Sequence, residues 1–164
     1  MPAELERTVQ RSVLDRLIDT DPDSRVEPSI SWAQSVRDLK RAVRRDMEWL
    51  LNTRRIVTPA PEGFVELQES LYHFGLPDIT SASAESMDAR NWLRRRIEEA
   101  ITLFEPRLSG VRVDVASVGE PGRREVRFVV EGFLEMEPTP EQVVFDTVLE
   151  VSSATFQVKG EGHA

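Results

Sequence analysis

The sequence predicts an α+β fold, with N-terminal helices followed by an antiparallel, or mixed, β-sheet of about four strands. Two observations support this prediction. Up to Phe104 the apolar residues recur every three or four positions, as they do on one face of a helix. After Gly110 they alternate with polar residues, as they do in a strand with one buried face.

The first two helices are expected before residue 53. Residues 12–19 form a short amphipathic helix whose apolar side includes Leu14 and Leu17. A long helix begins near Ser35. Its core face is predicted to hold Val36, Leu39, Val43, Met47 and Leu50. The opposite face is rich in arginine, which indicates either a solvated surface or a surface for an acidic protein partner.

Two further helices are expected before the strands. A short one covers residues 66–73, and a second long one covers about Met87–Phe104, with Ser83 and Ser86 as N-cap candidates. The core face of the long helix is predicted to hold Trp92 or Leu93, together with Ile97, Ala100, Ile101 and Phe104.

Alternating segments predict the strands. Their inward residues are Val111, Val113 and Val115 in the first, Val126, Phe128 and Val130 in the second, and Val143, Phe145 and Thr147 in the third. The segment "TFQVKG" predicts a fourth strand. The connections "GEPGR" and "EPTPEQ" are rich in turn-forming residues and have the length that joins antiparallel neighbours.

The length of 164 residues suits one ordinary domain. We expect residues 1–30 to form a flexible N-terminal segment that carries the short helix. Residues 31–160 are expected to form a single domain, and residues 161–164 a tail. The composition, 40% hydrophobic and 30% charged, is typical of a folded soluble protein.

Charge and residue types exclude several classes of function. The net charge of −8 disfavours a nucleic-acid partner, which would need a basic face. The chain has no cysteine, and its two histidines, His73 and His163, lie far apart in the sequence, so no metal and no cofactor is expected. No segment is typical of a signal peptide or a membrane span, which predicts a cytoplasmic protein without direct membrane insertion.

The triplet Glu105-Pro106-Arg107 stands where the last helix gives way to the first strand. Proline cannot continue the helix and favours an extended exit, so the side chains of Glu105 and Arg107 are expected to point the same way. They would form one charged fork that can bind a partner's groups bidentately. The alternative is an internal clasp that neutralises the helix terminus.

An enzymatic alternative is a peptidoglycan muramidase with Glu105 as the general acid. Glycoside hydrolysis needs two carboxylates, and the chain has 29 acidic residues, so the second carboxylate cannot be selected from the sequence. Arg107 beside Glu105 favours the ionised carboxylate, whereas a general acid needs a raised pKa. We therefore predict that the chain is not an enzyme.

An ordered set of segments resembles the lysozyme-like baseplate wedge family of contractile phage tails and type VI secretion systems. The segments are "SVLDRLID", "VRRDMEWLLNTRR", "SLYHFGLPDIT", "LRRRIEEAITLFEPRLSGVRVDV", "EVRFVVEGFLEM" and "VVFDTVLEVSSATFQV". They run in order from about Ser12 to Val158, and the E-P-R triplet is the hallmark of the family.

The resemblance implies a structural baseplate subunit without lysozyme activity. Glu105, Pro106 and Arg107 would dock on a core bundle formed by the wedge subunits TssF and TssG, with TssK reached through the wedge. The sheet would link the baseplate to the sheath subunits TssB and TssC and nucleate sheath assembly. Leu14 and Leu17 of the N-terminal helix would make a second attachment.

Overall fold

A computed structural model of the chain describes residues 9–18, 22–23, 30–79, 86–118 and 125–161. In chain order the elements are α1 (Val13–Leu17), α2 (Trp32–Asn52), α3 (Val65–Gln68), a 3₁₀ turn (Leu71–His73), α4 (Met87–Phe104), β1 (Leu108–Val118), β2 (Glu125–Leu134), β3 (Glu141–Glu150) and β4 (Thr155–Glu161). Helices precede a four-stranded antiparallel sheet, so the α+β prediction is confirmed. No helix of the described residues is long and apolar enough to span a membrane.

The chain divides into two compact units, Met1–Val43 and Arg44–Ala164, and the boundary falls within α2. The domain limits expected from the sequence stay a prediction. The predicted "GEPGR" turn and the N-cap candidate Ser83 lie outside the described residues.

The first unit contains α1 and the beginning of α2. Ser12 caps α1 by accepting a hydrogen bond from the backbone N–H of Asp15 at 3.1 Å. The segment before α1 is tied to α2, because the N–H of Val9 donates to Ser35 Oγ at 3.2 Å. The helix α2 begins at Trp32, earlier than the predicted Ser35, because Ser31 Oγ accepts from the N–H of Gln34 and supplies an N-cap.

The apolar stripes of the two long helices are buried as predicted, except that Phe104 at the end of α4 is only half-buried. The buried residues of α2 include Val36, Leu39, Val43, Met47 and Leu50, and those of α4 are Leu93, Ile97, Ala100 and Ile101. Of the two alternatives at the start of α4, Leu93 is inward and Trp92 is exposed. The second N-cap candidate, Ser86, does cap α4 by accepting from the N–H of Ala89 at 3.0 Å.

The predicted helix over residues 66–73 is wrong as a continuous helix. It ends at Gln68 and restarts as the 3₁₀ turn because Ser70 bonds locally to the backbone. Its hydroxyl donates to the carbonyl of Leu67 at 2.9 Å and accepts from the N–H of Tyr72 at 3.2 Å. Serine side chains that compete in this way for backbone groups interrupt helices.

The sheet has the order β1-β2-β3-β4, with every neighbouring pair antiparallel. The predicted alternation places one face in the core, although Val111 and Val115 of β1 are only half-buried. Its inward residues include Val113, Val126, Phe128, Val130, Val143, Phe145, Thr147, Leu149, Phe156 and Val158. The outer strands β1 and β4 are therefore the two edges of the sheet.

Candidate docking site

The E-P-R triplet forms a tight turn between α4 and β1. Glu105 is the C-cap of α4, and its N–H donates to the carbonyl of Ile101 at 2.9 Å. The carbonyl of Glu105 accepts from the N–H of Leu108 at 3.0 Å, which closes a four-residue turn around Pro106 and Arg107. Proline is favoured at the second position of such a turn, and it ends the helix because it lacks an N–H.

Glu105 and Arg107 bind each other within this turn. Arg107 Nε donates to Glu105 Oε1 at 2.6 Å, and Arg107 Nη2 donates to Glu105 Oε2 at 2.5 Å. The side chain of Glu105 is 4% exposed, and the side chain of Arg107 is 23% exposed. Such bidentate, charge-assisted pairs are among the strong hydrogen bonds of proteins and fix the guanidinium in one orientation.

A third charged residue joins the pair from α2. Arg107 Nη2 also donates to Asp46 Oδ2 at 2.6 Å, and Asp46 Oδ1 pairs with Arg45 Nη2 at 2.7 Å. Arg45 in turn lies 5.7 Å from the ring centre of the exposed Trp49. We call Asp46, Glu105 and Arg107 the ion cluster.

Burial works to lower the pKa of Arg107, because it removes water from the charged guanidinium. The hydrogen bonds and negative charges of Glu105 and Asp46 outweigh burial and raise the pKa above its ordinary value. Arg107 therefore stays protonated at every physiological pH.

The predicted extended exit from the helix is wrong, because the bond from the N–H of Leu108 to the carbonyl of Glu105 closes a turn there. Glu105 and Arg107 do point the same way, but Glu105 is buried and both of its carboxylate oxygens are occupied by Arg107. Pro106 and part of Arg107 remain accessible. Asp46 was missed by sequence reasoning because it lies 61 residues from Arg107 and no local pattern connects them.

The short helix α1 is a second candidate surface of a different kind. No residue of α1 is buried, and Leu14 and Leu17 are 47% and 76% exposed. Leucines exposed to this extent add little to the stability of the isolated chain. A cluster of this kind marks a surface suited to an apolar partner.

The arrangement of Glu105 does not favour a catalytic carboxylic acid. A general acid must carry a proton and reach the substrate oxygen. The carboxylate of Glu105 is instead covered and bound through both oxygens to a permanently charged guanidinium. This geometry suits a residue that holds Arg107 in place.

The elements define a small α+β protein with a charged turn at the junction of α4 and β1. The family model of baseplate wedge protein gp25 matches residues 37–139, well over half of the chain. The chain therefore belongs to this family of baseplate structural proteins. The matched range contains most of α2, the E-P-R turn and the first two strands. No curated protein sequence gives a significant match.

Proposed function

We propose that the chain is the TssE-type wedge subunit of a type VI secretion baseplate. It docks on the core bundle of TssF and TssG through the E-P-R turn. Its association with TssK is indirect, through the other wedge subunits. It links this wedge to the TssB and TssC sheath and nucleates sheath assembly. We place it in the cytoplasm as a structural protein without catalysis, cofactor, nucleic acid or membrane insertion. The observation that supports the docking role is the ion cluster, which presents Pro106 and Arg107 in one fixed orientation.

The three residues of the motif have different parts in this proposal. Glu105 is a positioning residue, because its carboxylate is covered and holds the guanidinium. Pro106 and the accessible part of Arg107 make the contact with the core bundle. Arg107 Nη1 is buried, and no group among the described residues accepts a hydrogen bond from it. An acceptor on the core bundle would satisfy this donor if docking opens a path to it.

The exposed leucines of α1 supply the second attachment in the proposal. Leu14 and Leu17 lie on a helix that is held to the chain by backbone and ionic contacts, such as the Arg11 to Asp38 pair at 3.3 Å. Burial of both side chains against an apolar partner would be favourable, with about 1.5–3 kcal/mol for each fully buried leucine. The short helix would thus bind without any change in the folded unit.

The experiment is co-purification with TssF and TssG, together with a thermal melt of each variant alone. Arg107→Lys keeps the charge and loses the bidentate geometry, and Pro106→Ala alters an exposed side chain of the turn. We expect both variants to lose association more than tenfold. The melting temperature should fall only slightly in Pro106→Ala, whose side chain is exposed, and more in Arg107→Lys, which also loses hydrogen bonds within the ion cluster.

Asp46→Asn is the matched control, because Asp46 binds the same guanidinium from outside the motif. It should lower the melting temperature and leave most of the association. If association follows the melting temperature across all three variants, the turn is an internal clasp and the docking proposal is wrong. Release of soluble muropeptides from cell wall that disappears in Glu105→Gln would instead support the muramidase.

A further inference from the structure

A cleft lies between the C-terminal half of α4 and the segments that flank α3 and the 3₁₀ turn. Its lining includes Arg96, Glu99 and Leu103 on one side, and Arg55 and Pro77 on the other. The cleft encloses about 370 Å³ of empty space, including its open mouth. This volume suits a small ligand or a few side chains of a partner. We call it the arginine cleft, and the ion cluster contributes no residue to it.

The wall of the arginine cleft opposite α4 is held by backbone hydrogen bonds. The N–H of Arg55 donates to the carbonyl of Leu76 at 2.8 Å, and the N–H of Leu76 donates to the carbonyl of Thr53 at 2.9 Å. Gly75 has a φ of +103°, and a Cβ at this position would overlap the carbonyl oxygen of Thr53. The backbone that carries Arg55 is therefore fixed before any ligand binds, which lowers the entropic cost of binding.

Positive charge is in excess within the arginine cleft. Arg55 and Arg96 line it, and Glu99 is the only carboxylate among the described residues that do so. Glu99 Oε2 pairs with Arg96 Nη1 at 2.8 Å, while Arg96 Nε is covered and finds no acceptor in the described part of the chain. Arg55 makes no side-chain hydrogen bond or ion pair with another described residue. One guanidinium charge therefore remains uncompensated when His73, which also lines the cleft, is neutral.

Apolar side chains form much of the remaining lining. Leu103 is 42% exposed, and Phe104 and Pro77 are half-buried. The ring of Phe104 packs edge-on against Phe74, with 5.3 Å between the ring centres, which fixes this part of the wall. An anion in the cleft would thus lie beside apolar surface, and a ligand with an apolar group next to its charge would cover Leu103 as it binds.

We propose that the arginine cleft binds a glutamate or aspartate side chain of a partner protein, together with an apolar residue next to it in the partner's sequence. The carboxylate accepts hydrogen bonds from Arg55 and Arg96, and the apolar residue covers Leu103. Hydrogen bonds from a guanidinium to a carboxylate are among the strong ones in proteins. The proposal goes beyond the docking of the E-P-R turn, because the two surfaces share no residue.

The charges of the cleft favour this occupant over two others. Glu99, whose side chain is 58% exposed, holds Arg96 until the partner's carboxylate replaces it. A single carboxylate matches the one uncompensated charge, whereas a phosphate group carries about two negative charges and would be repelled more strongly by Glu99. A second copy of this chain is disfavoured because each copy carries a net charge of −8.

The test uses the full chain, isotope-labelled for NMR, and two capped tripeptides. Acetyl-Leu-Glu-Leu-amide carries the carboxylate, and acetyl-Leu-Gln-Leu-amide is its uncharged counterpart. We expect the glutamate peptide to bind with a Kd of about 1 mM and to shift the amide resonances of Gly75, Arg96 and Leu103. The glutamine peptide should bind at least about tenfold more weakly. If the glutamate peptide at about 10 mM shifts none of these amides, the proposal is wrong.

Four variants assign the binding to the cleft. Arg55→Gln and Arg96→Gln should each weaken binding of the glutamate peptide about five- to tenfold. Arg95→Gln is the matched control, because Arg95 is exposed on α4 outside the cleft, and it should bind like wild type. Glu99→Gln removes the carboxylate that competes for Arg96 and should tighten binding several-fold. This gain tests the proposal even if the variants of Arg55 and Arg96 are less stable in a thermal melt.

Three further outcomes would overturn the proposal. An equal loss of binding in Arg95→Gln would show only a general attraction to positive charge. Shifts of the same amides by inorganic phosphate, with none by the glutamate peptide, would make the cleft a phosphate site. Self-association in sedimentation that is lost in Arg96→Gln would make the occupant a second copy. Since no residue of the E-P-R turn is changed, the proposed docking on the core bundle is judged separately by its own experiment.

Discussion

The E-P-R turn and α1 are both candidate docking surfaces, yet they depend on the fold in opposite ways. At the turn, the charged groups are mostly covered and bind one another between α2 and the segment that follows α4. On α1, the leucines are exposed and no residue of the helix is buried. We therefore expect a change at the turn to affect stability as well as the proposed binding, and a change on α1 to affect the proposed binding alone.

This difference decides how loss of association must be interpreted. A variant of the turn that fails to bind has two explanations until its stability is known. A variant of α1 that fails to bind has a single explanation, the loss of the contact itself. Substitutions at the two surfaces should therefore differ in how much they lower the free energy of unfolding.

The largest effect is expected for Glu105→Ala. It removes both oxygens that hold Arg107 and leaves a largely covered guanidinium with Asp46 alone. We expect a loss of about 3 kcal/mol in the free energy of unfolding. That loss corresponds to a fall of about 6–12 °C in the melting temperature, measured by calorimetry. A melting temperature equal to that of wild type would show that the pair contributes nothing to the fold.

A smaller effect is expected for Asp46→Asn, which keeps the shape of the side chain and removes its charge. The bidentate pair between Glu105 and Arg107 remains, so we expect a loss of about 1–2 kcal/mol by the same measurement. A loss as large as that of Glu105→Ala would mean that the three residues of the ion cluster act as one unit, which a double-mutant cycle would quantify.

The smallest effect of a substitution is expected for Leu14→Ser/Leu17→Ser. Both side chains are exposed, so the free energy of unfolding should change by less than about 0.5 kcal/mol. Association with the wedge subunits should fall clearly, as measured by co-purification. Arg16→Ser is a matched control on the same helix and should retain binding. A lower melting temperature in the double variant would show that α1 packs against the folded chain.

No pH effect is expected from Arg107 in the neutral range. Because its pKa is raised in the folded state, its stabilising contribution is present below the ordinary pKa of an arginine and is lost only as the pH rises through the higher, folded-state pKa. The difference in melting temperature between wild type and Arg107→Ala should therefore be constant from about pH 6 to about pH 9. A difference that shrinks in this range would mean that another group of the cluster titrates there.

Periodicity predicted the elements well because it expresses local physics. The apolar stripe of α4 and its cap at Ser86 define Met87–Phe104 without knowledge of any other segment. The alternation in β2 and β3 likewise defines which residues face the core. The short helix near Ser70 failed because one side chain competed with the backbone for hydrogen bonds, an effect too local for periodicity to register.

The α+β class and the place of the E-P-R turn follow from the sequence, because each depends on the conformational limits of neighbouring residues. The extended exit predicted after the last helix is instead a tight turn, in which the ion pair between Glu105 and Arg107 gives their side chains a shared direction. The burial of Glu105 and the part of Asp46 in the ion cluster follow from the tertiary structure alone. The tertiary structure also decided that Asn52, 104 residues before Phe156, covers the edge of β4. Partners so distant in the chain are chosen by packing, which brings together groups that no local pattern relates.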